Sequence, residues 1–366
     1  MLCPRMCGAD RTKMPPAGYC GMGNTMRVAR IAPHFWEEPC ISGTRGSGTV
    51  FFVGCHEGCV YCQNREISRV RGTRDPAETS PAHARTIAEA FAQRPDAQNA
   101  TGPENDHLPG RDISPRALAD ACLRLQEAGV HNINLVTPTH FVPEIVKTLE
   151  TAKRDGLRIP VVYNTGGYER VETLRMLDGL IDIYLTDFQH ASEEKALRYA
   201  NAQGYADTAM CALKEMLRQT GAARFEKGLD AAAYNALCEA SETEEDYTLP
   251  VMERGVIVRH LVLPGSEEDT RAVLRLIREN TDETERRGFY LSIMNQYTPM
   301  LSAREAARFP ELARRVSDEE YEAIIEDTMR LGFENVFFQY GDTASESFVP
   351  VWDVSASGQG GGQEFK

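Results

Sequence analysis

The chain has 366 residues, enough for one large α/β domain with additions, and its 54 acidic residues against 40 basic ones give a net charge of -14. This acidic balance opposes nonspecific binding to nucleic acid or to anionic membrane surfaces, so we expect neither as a partner. No apolar run approaches the length needed to cross a bilayer, and the first residues lack a signal-peptide core, so we expect a cytoplasmic protein.

Residues 1–48 form a cysteine-containing N-terminal extension, for which the prolines and glycines predict irregular backbone ahead of the first strand. Four of the chain's ten cysteines lie here: Cys3, Cys7, Cys20 and Cys40. With Cys40 folded back as the fourth ligand they would form a zinc site or a second cluster, and reduced thiols without metal are the alternative. The adjacent Glu37 and Glu38 predict a solvated turn or, beside a metal cluster, a ligand-binding pair.

A second group of cysteines follows the apolar run 50–53 in the pattern C-x3-C-x2-C, made by Cys55, Cys59 and Cys62. We interpret the run as a strand and the cysteine segment as a ligand loop at its end. Zinc in a closed site and a fully ligated iron-sulfur cluster both need four protein ligands, so three thiols leave one metal corner open. An open corner on a cubane cluster is where a small ligand can dock. Zinc completed by a ligand from elsewhere and uncommitted thiols are the alternatives.

The middle of the chain predicts alternating strands and helices. An amphipathic helix is predicted over 82–93, a polar mobile loop over 94–112, and a helix from its N-cap Ser114 to Gly129. Predicted strands lie at 133–136, 159–164, 181–185, 256–263, 289–294 and 335–338, and predicted helices at 142–154, 169–177, 267–278 and 318–331. With the strand before the cysteines there are six clear strands and a weaker seventh. Right-handed crossovers would make them a partial (β/α)6-type TIM barrel.

Two further segments interrupt this pattern or follow it. Residues 192–220 predict helices, and residues 221–250 predict an acidic surface insertion. Residues 355–366 are too rich in glycine to form a packed structure. We therefore divide the chain into the extension 1–48, a main domain 49–342 and a C-terminal tail 343–366 that is flexible at its end.

Polar or glycine-rich residues follow each predicted strand at once, at 55–62, 137–140, 165–168, 187–189, 264–265 and 295–298. In parallel α/β folds the loops after the strands meet at one edge, while the helices cover the outside. We therefore expect one pocket at the carboxyl edge of the sheet to collect these residues.

Several longer motifs carry a family resemblance. They include residues 3–8 (CPRMCG), 37–43 (EEPCISG), 132–140 (NINLVTPTH), 163–169 (YNTGGYE), 258–264 (VRHLVLP) and 296–299 (QYTP). Together with the cysteine loop, in which Tyr61 precedes the third cysteine, they resemble the radical SAM superfamily, where SAM is S-adenosylmethionine. Within it they resemble the PflX-type proteins related to pyruvate formate-lyase activating enzyme. The resemblance covers about residues 1–340.

The resemblance implies that Cys55, Cys59 and Cys62 hold a [4Fe-4S] cluster, with SAM chelating the fourth iron. It places Tyr61 near the adenine of SAM. The other SAM or substrate contacts that it implies are Thr137, Thr139, His140, Asn164, Thr165, Asp187, Gln189 and Arg259. Asn164 and Gln189 stand where the activating enzymes have an aspartate and a lysine, and residues 137–140 stand in place of their Gly-Gly-Glu element. No catalytic residue is identified.

The implied activity is that of a radical SAM enzyme, an activating-enzyme-like oxidoreductase. Such an enzyme cleaves SAM reductively, and the resulting 5'-deoxyadenosyl radical abstracts hydrogen from a substrate that the sequence does not identify. A glycyl-radical-activase-like step and another modification both remain open. The implied partners are SAM, an electron donor such as flavodoxin or ferredoxin, and a protein substrate. The rival hypotheses are a non-enzymatic iron-sulfur electron carrier or sensor and a zinc-stabilised interaction protein.

Overall fold

A computed structural model of the protein describes residues 1–13, 18–68, 109–241 and 249–339. The predicted helix at 82–93, most of the predicted loop at 94–112, the acidic run at 242–246 and the predicted tail lie outside these residues. Within the described ranges, no helix combines the length and the apolar character that crossing a membrane requires.

The described residues contain a central sheet of eleven strands. They are β1 (Met26–His34), β2 (Ser47–Phe52), β3 (Arg111–Ile113), β4 (Ile133–Val136), β5 (Val161–Thr165), β6 (Ile183–Asp187), β7 (Arg224–Phe225), β8 (Leu229–Asp230), β9 (Met252–Leu261), β10 (Phe289–Met294) and β11 (Val336–Phe338). Seven strands are parallel, in the order β2-β4-β5-β6-β9-β10-β11. Strand β1 pairs antiparallel with β2, and β3 pairs antiparallel with β1 at the edge.

This topology confirms a mixed α/β fold with a central sheet. The two ends of the sheet, β3 and β11, do not pair with each other in the described part of the chain, so the barrel is not closed there. The curvature of a partial (β/α)6-type barrel therefore stays a prediction.

The helices of the described residues are α1 (Pro39–Ser42), α2 (Arg65–Ser68), α3 (Pro115–Glu127), α4 (Val142–Arg154), α5 (Val171–Arg175), α6 (Glu193–Lys195), α7 (Tyr205–Thr220), α8 (Ala231–Ser241), α9 (Glu267–Asn280), α10 (Glu283–Arg286), α11 (Ala303–Arg308) and α12 (Asp318–Arg330). Ser114 caps α3 as predicted, because its side chain accepts a hydrogen bond from the amide of Ala117. The apolar sides of α3, α4, α7, α9 and α12 share one core with the strands. Among the predicted elements that fall within the described residues, β4, β10 and α4 match in both bounds, and the bounds of the others differ by up to four residues.

The opposite face of the parallel strands carries a second, smaller core at the amino ends of the strands. Its strand residues are Val162, Ile183, Leu185, Ile257 and Tyr290, and Cys40 and Ile41 pack against them. The segment 221–241 completes this core, since Phe225 stacks on Tyr234 with ring centroids 3.8 Å apart, and both rings are buried. The prediction of a surface insertion is therefore wrong for this part. The polar residues around the two aromatic rings obscured their role.

Two further predictions about the backbone are wrong. Strand β1 lies within the extension that was predicted to be irregular, and a register shift between Val28 and Arg30 explains why its alternation of apolar and polar residues was not recognised. Strand β3 lies at the end of the predicted loop 94–112, where Ile113 pairs with Met26. Its polar residues suit an exposed edge strand, because backbone hydrogen bonds form whatever the side chains are.

Candidate metal centre

A charged cluster lies on the same face as the smaller core, one step further along the strands. Asn164, Asp187 and Arg259 each come two residues after a member of that core, so their side chains point to the same face. The guanidinium of Arg259 donates from Nε to Asp187 Oδ1 over 2.8 Å and from Nη2 to Asn164 Oδ1 over 2.7 Å. The sheet therefore brings three of the sequence-predicted site residues together at its carboxyl edge.

Glu37 joins this cluster from the segment before α1. Its Oε1 accepts hydrogen bonds from Asn134 Nδ2 at 3.0 Å and Asn164 Nδ2 at 3.3 Å, and its Oε2 lies 3.5 Å from Arg259 Nη1. Burial raises the pKa of Glu37, and it raises the pKa of the adjacent Glu38 to about 7. The pair is thus not a solvated turn. The cluster formed by these described residues thus contains three carboxyl groups, those of Glu37, Glu38 and Asp187, and one guanidinium, that of Arg259.

The cysteine loop lies against the helical segment Ala196–Ala200, which follows α6. The amide of Gly58 donates to the carbonyl of Ala200 and that of Val60 to Tyr199, over 2.9 and 2.8 Å. The amide of Glu57 donates to Cys55 Sγ over 3.3 Å, a contact that favours the thiolate. These backbone contacts fix the loop on that segment, and Glu57 of the loop lies next to Gly166, directly after the carboxyl end of β5.

The three thiols of the loop lie near enough to one another that the charges of Cys55 and Cys62 raise the pKa of Cys59. Burial raises the pKa of Cys59 well above its usual value, so a bound cation would be needed to hold its thiolate form. No three His, Cys, Asp or Glu side chains in the described ranges converge closely enough to hold a single metal ion. In a cubane each thiolate binds a different iron, so spread thiols fit a cluster better than one zinc ion.

Glu57 is a buried carboxyl inside the cysteine loop that the sequence reasoning did not single out. Its Oε2 lies 3.8 Å from Cys59 Sγ. Burial, and then the charges of Asp187 and Glu169, raise its pKa to about 8. A Cβ on Gly166 would lie 2.1 Å from Glu57 Oε1, so the glycine makes room for this carboxyl. Its place between two predicted ligands could have drawn attention to it.

Tyr61 is oriented by a histidine and an aspartate that sequence reasoning missed. Its hydroxyl lies 3.1 Å from His190 Nε2, and His190 Nδ1 lies 3.0 Å from Asp269 Oδ2. Because a carboxylate only accepts, His190 donates from Nδ1, and its Nε2 is the atom that pairs with the Tyr61 hydroxyl. Asp269 also accepts from the amides of Ala191 and Ser192. The chain of contacts fixes Tyr61 beside the cysteines.

Other predicted site residues make internal contacts instead. The hydroxyls of Thr139 and Thr165 both donate to Glu169 Oε1, a buried carboxyl whose pKa burial raises to about 7. Gln189 bonds the backbone of Leu261 with both ends of its amide. These contacts give the three side chains a positioning role in the structure, and SAM contacts from them stay predictions.

Two predicted contacts follow β4. Thr137 is half-buried with a positive φ of 57°, and its amide donates to the carbonyl of Asn164. His140 is buried, and its Nε2 lies 2.8 Å from the carbonyl oxygen of Val53. His140 is one of the residues that line a cavity formed with the first residues of the chain. His140 thus lies beside the N-terminal segment.

The predicted four-cysteine site of the extension is wrong in one member. Cys3, Cys7 and Cys20 line the cavity that His140 also lines. Cys40 is fully buried in the smaller core, against strand residues on the other face of the sheet. The fold-back that would bring Cys40 to the other three does not occur, because α1 anchors it in that core.

Comparison with known proteins agrees with this geometry. Residues 49–222 match the model of the radical SAM superfamily. An uncharacterized protein of Methanocaldococcus jannaschii is 26% identical over 328 residues, which are 88% of this chain and 72% of that protein. Proteins of the superfamily typically use a [4Fe-4S] cluster and SAM, and the match indicates an enzyme. The chain therefore carries a domain of the radical SAM superfamily.

Proposed function

We propose that this protein is a radical SAM enzyme that binds a [4Fe-4S] cluster through Cys55, Cys59 and Cys62 and cleaves SAM reductively. The observation that carries the proposal is a loop of three thiols held over the carboxyl edge of the parallel sheet, within the matched domain. When bound, the cluster supplies the electron that splits SAM into methionine and a 5'-deoxyadenosyl radical. The loop has half-buried soft donors, none of them in a disulfide, as such a cluster requires.

The residues of this chain would bind and orient SAM. Tyr61 stands beside the cysteines with its hydroxyl fixed by His190, so its ring offers a rigid apolar face for the adenine. The carboxyls of Glu37 and Asp187 offer acceptors for positive groups, and SAM carries a sulfonium and an ammonium. Arg259 holds these carboxyls in place and balances part of their charge. Thr137, which directly follows β4, would be a further contact for SAM.

The finer part of the proposal follows the resemblance to PflX-type proteins. An electron donor such as flavodoxin or ferredoxin would reduce the cluster in the cytoplasm, and the substrate would be a protein glycine or another group with an abstractable hydrogen. Asn164 and Gln189 differ from the activating enzymes, and Gln189 is engaged by the backbone of Leu261. The substrate of the activating enzymes therefore does not transfer by likeness alone.

Anaerobic reconstitution with iron and sulfide, followed by SAM and dithionite, tests the proposal. We expect 5'-deoxyadenosine from the wild-type protein and at least a hundredfold less from Cys59→Ala, because the cluster loses a ligand. Cys211→Ala is the matched control, since Cys211 is exposed on α7 and far from the loop in sequence. Equal yields from Cys59→Ala and wild type would contradict the proposal. Iron binding without SAM binding would favour the electron-carrier hypothesis instead.

A further inference from the structure

The N-terminal cavity is a second place where cysteines gather, distinct from the cysteine loop. It has a volume of about 470 Å³, and Cys3, Cys7, Cys20 and His140 are among the residues that line it. The sulfurs of Cys7 and Cys20 lie 3.6 and 4.0 Å from the position that a Cβ on Gly18 would take. Two thiols thus face the same point, and Gly18 leaves that point open.

A backbone amide lies near each of these three thiols, two residues further along the chain. The amides belong to Arg5, Ala9 and Met22, in the order of the cysteines. In the cysteine loop the amide at the same spacing, that of Glu57, donates to Cys55 Sγ. Amide hydrogen bonds to sulfur stabilise metal-bound thiolates and tune the clusters that they hold. The N-terminal cysteines thus share with Cys55 the sequence spacing between thiol and neighbouring amide.

His140, which also lines this cavity, carries a ring nitrogen without a hydrogen-bond partner in the described residues. Because its Nε2 lies 2.8 Å from a carbonyl oxygen, which can only accept, the proton of the ring is on Nε2 and Nδ1 carries a lone pair. Nδ1 is buried and has no hydrogen-bond partner in the described residues, while the whole residue is 2% exposed. Histidines that bind metals commonly donate their other ring nitrogen to a backbone carbonyl, as here to Val53.

Arg11 adds a positive charge to the same place. Its guanidinium donates to the carbonyls of Met22, Gly23 and His140, which ties the extension to the turn after β4. Its charge interacts with all three thiols of the cavity. A cluster held by three thiolates carries net negative charge, so a fixed guanidinium stabilises it.

We infer that Cys3, Cys7 and Cys20, with Nδ1 of His140 as fourth ligand, bind a second iron-sulfur cluster. A cubane presents separate iron atoms to its ligands and suits donors spread around a cavity, whereas one ion needs donors that converge on a point. No such convergence exists among the described residues. The inference goes beyond the proposed function, because the site lies outside the cysteine loop and outside the matched region 49–222, apart from His140.

The two cysteine groups are neighbours in space. Arg5 Nε donates to the carbonyl of His56 over 2.6 Å, and its guanidinium stacks on the ring of Tyr19 at 3.6 Å. The Tyr19 hydroxyl in turn lies 2.4 Å from where a Cβ on Gly58 would be. The N-terminal segment thus packs directly on the cysteine loop, and the second cluster would lie next to the first.

Iron and sulfide analysis of reconstituted full-length protein tests the inference, since it needs no turnover. A triple alanine variant of Cys55, Cys59 and Cys62 should keep roughly half of the wild-type iron and sulfide, and a triple alanine variant of Cys3, Cys7 and Cys20 should keep the other half. Cys7→Ala alone should also lose iron, and as Cys7 is exposed, its replacement leaves packing intact. Cys211→Ala should keep all of the iron.

The fourth ligand has its own readout. In the variant without Cys55, Cys59 and Cys62, the reduced cluster should show a strongly coupled nitrogen in pulsed electron paramagnetic resonance, and adding His140→Cys should abolish that coupling while iron is retained. Absence of iron in the first triple variant, or zinc in its place, would overturn the second cluster. Retained iron without nitrogen coupling would overturn the role of His140. Production of 5'-deoxyadenosine is scored separately and tests only the proposed function.

Discussion

The most informative single change to the charged cluster is Arg259→Met, which keeps the length of the side chain but removes its charge. Arg259 is the positive partner of two carboxyls, Asp187 at 2.8 Å and Glu37 at 3.5 Å. Its removal would leave Glu37, whose side chain is 10% exposed, without a counter-charge. An unpaired buried carboxylate must either stay charged at a cost or take up a proton.

The expected cost in stability follows from the side-chain exposure of Glu37 and Asp187. Breaking a buried ion pair by removing one partner costs about 3–5 kcal/mol. Asp187 keeps 34% of its side-chain surface in contact with solvent, so water relieves part of its loss, and we expect about 3 kcal/mol at pH 8. The cost should be smaller at pH 5. Burial already raises the pKa of Glu37, and removing the guanidinium raises it further, so protonation at low pH removes the unpaired charge.

The measurement is the free energy of unfolding from urea titrations, followed by circular dichroism at pH 5 and pH 8. Arg254→Met is the matched control, because Arg254 lies on the same strand and, within the described part of the chain, donates only to the carbonyls of Gln219 and Thr220. The decrease in the free energy of unfolding caused by Arg254→Met should be smaller and independent of pH. Adding Asp187→Asn to Arg259→Met should recover part of the stability. A loss below about 1 kcal/mol at pH 8, or an equal loss at both pH values, would refute the reasoning.

Two further predictions test the surroundings of the site. Gly167→Ala should destabilise the protein by several kcal/mol more than Gly179→Ala. Both glycines have a positive φ, 81° and 77°, but only a Cβ at Gly167 would meet a backbone atom, the carbonyl oxygen of Asp187 at 2.0 Å. Equal unfolding temperatures of the two variants would contradict this. The free energy of unfolding of the wild-type protein should fall as the pH rises from about 4.5 to about 7, and Glu169→Gln should make this fall smaller. Glu169, whose folded pKa is about 7, ionises first in the unfolded chain, so its contribution falls as pH rises. Thermal melts at pH 5 and pH 8 measure the slope, and an unchanged slope would count against a buried neutral Glu169.

The sequence predicted best those features that depend on local pattern. Strand β4 was bounded correctly because Ile133, Leu135 and Val136 form a short run, broken only by Asn134, between the polar residues Asn132 and Thr137. Arg259 was singled out as a charge inside an apolar strand, and the structure places it beside Asp187 and Asn164. In both cases the deciding information lies within a few residues of chain.

Features that depend on long-range contact were not predictable in this way. Glu37 reaches Arg259 across 222 residues of sequence, and nothing near Glu37 marks that contact. Cys40 was grouped with the other N-terminal cysteines because spacing in sequence was the only guide. The helix α1 holds it instead among the apolar residues of the smaller core, and that packing depends on Phe225 and Tyr234 from a distant segment.

The packing on the face of the sheet that carries the smaller core explains how Glu37 and Asp187 can lie largely out of contact with solvent. Apolar side chains fill the space at the amino ends of the strands. They shield the polar layer of Asn164, Asp187 and Arg259 from water on that side. The cysteine loop lies on the carboxyl side of the same layer, where the charge of Asp187 helps to raise the pKa of Glu57. Acids enclosed in this way raise one another's pKa, and a bound ligand with positive groups would remove that penalty. SAM has such groups, so the negative charge of this cluster and the proposed cofactor support the same function.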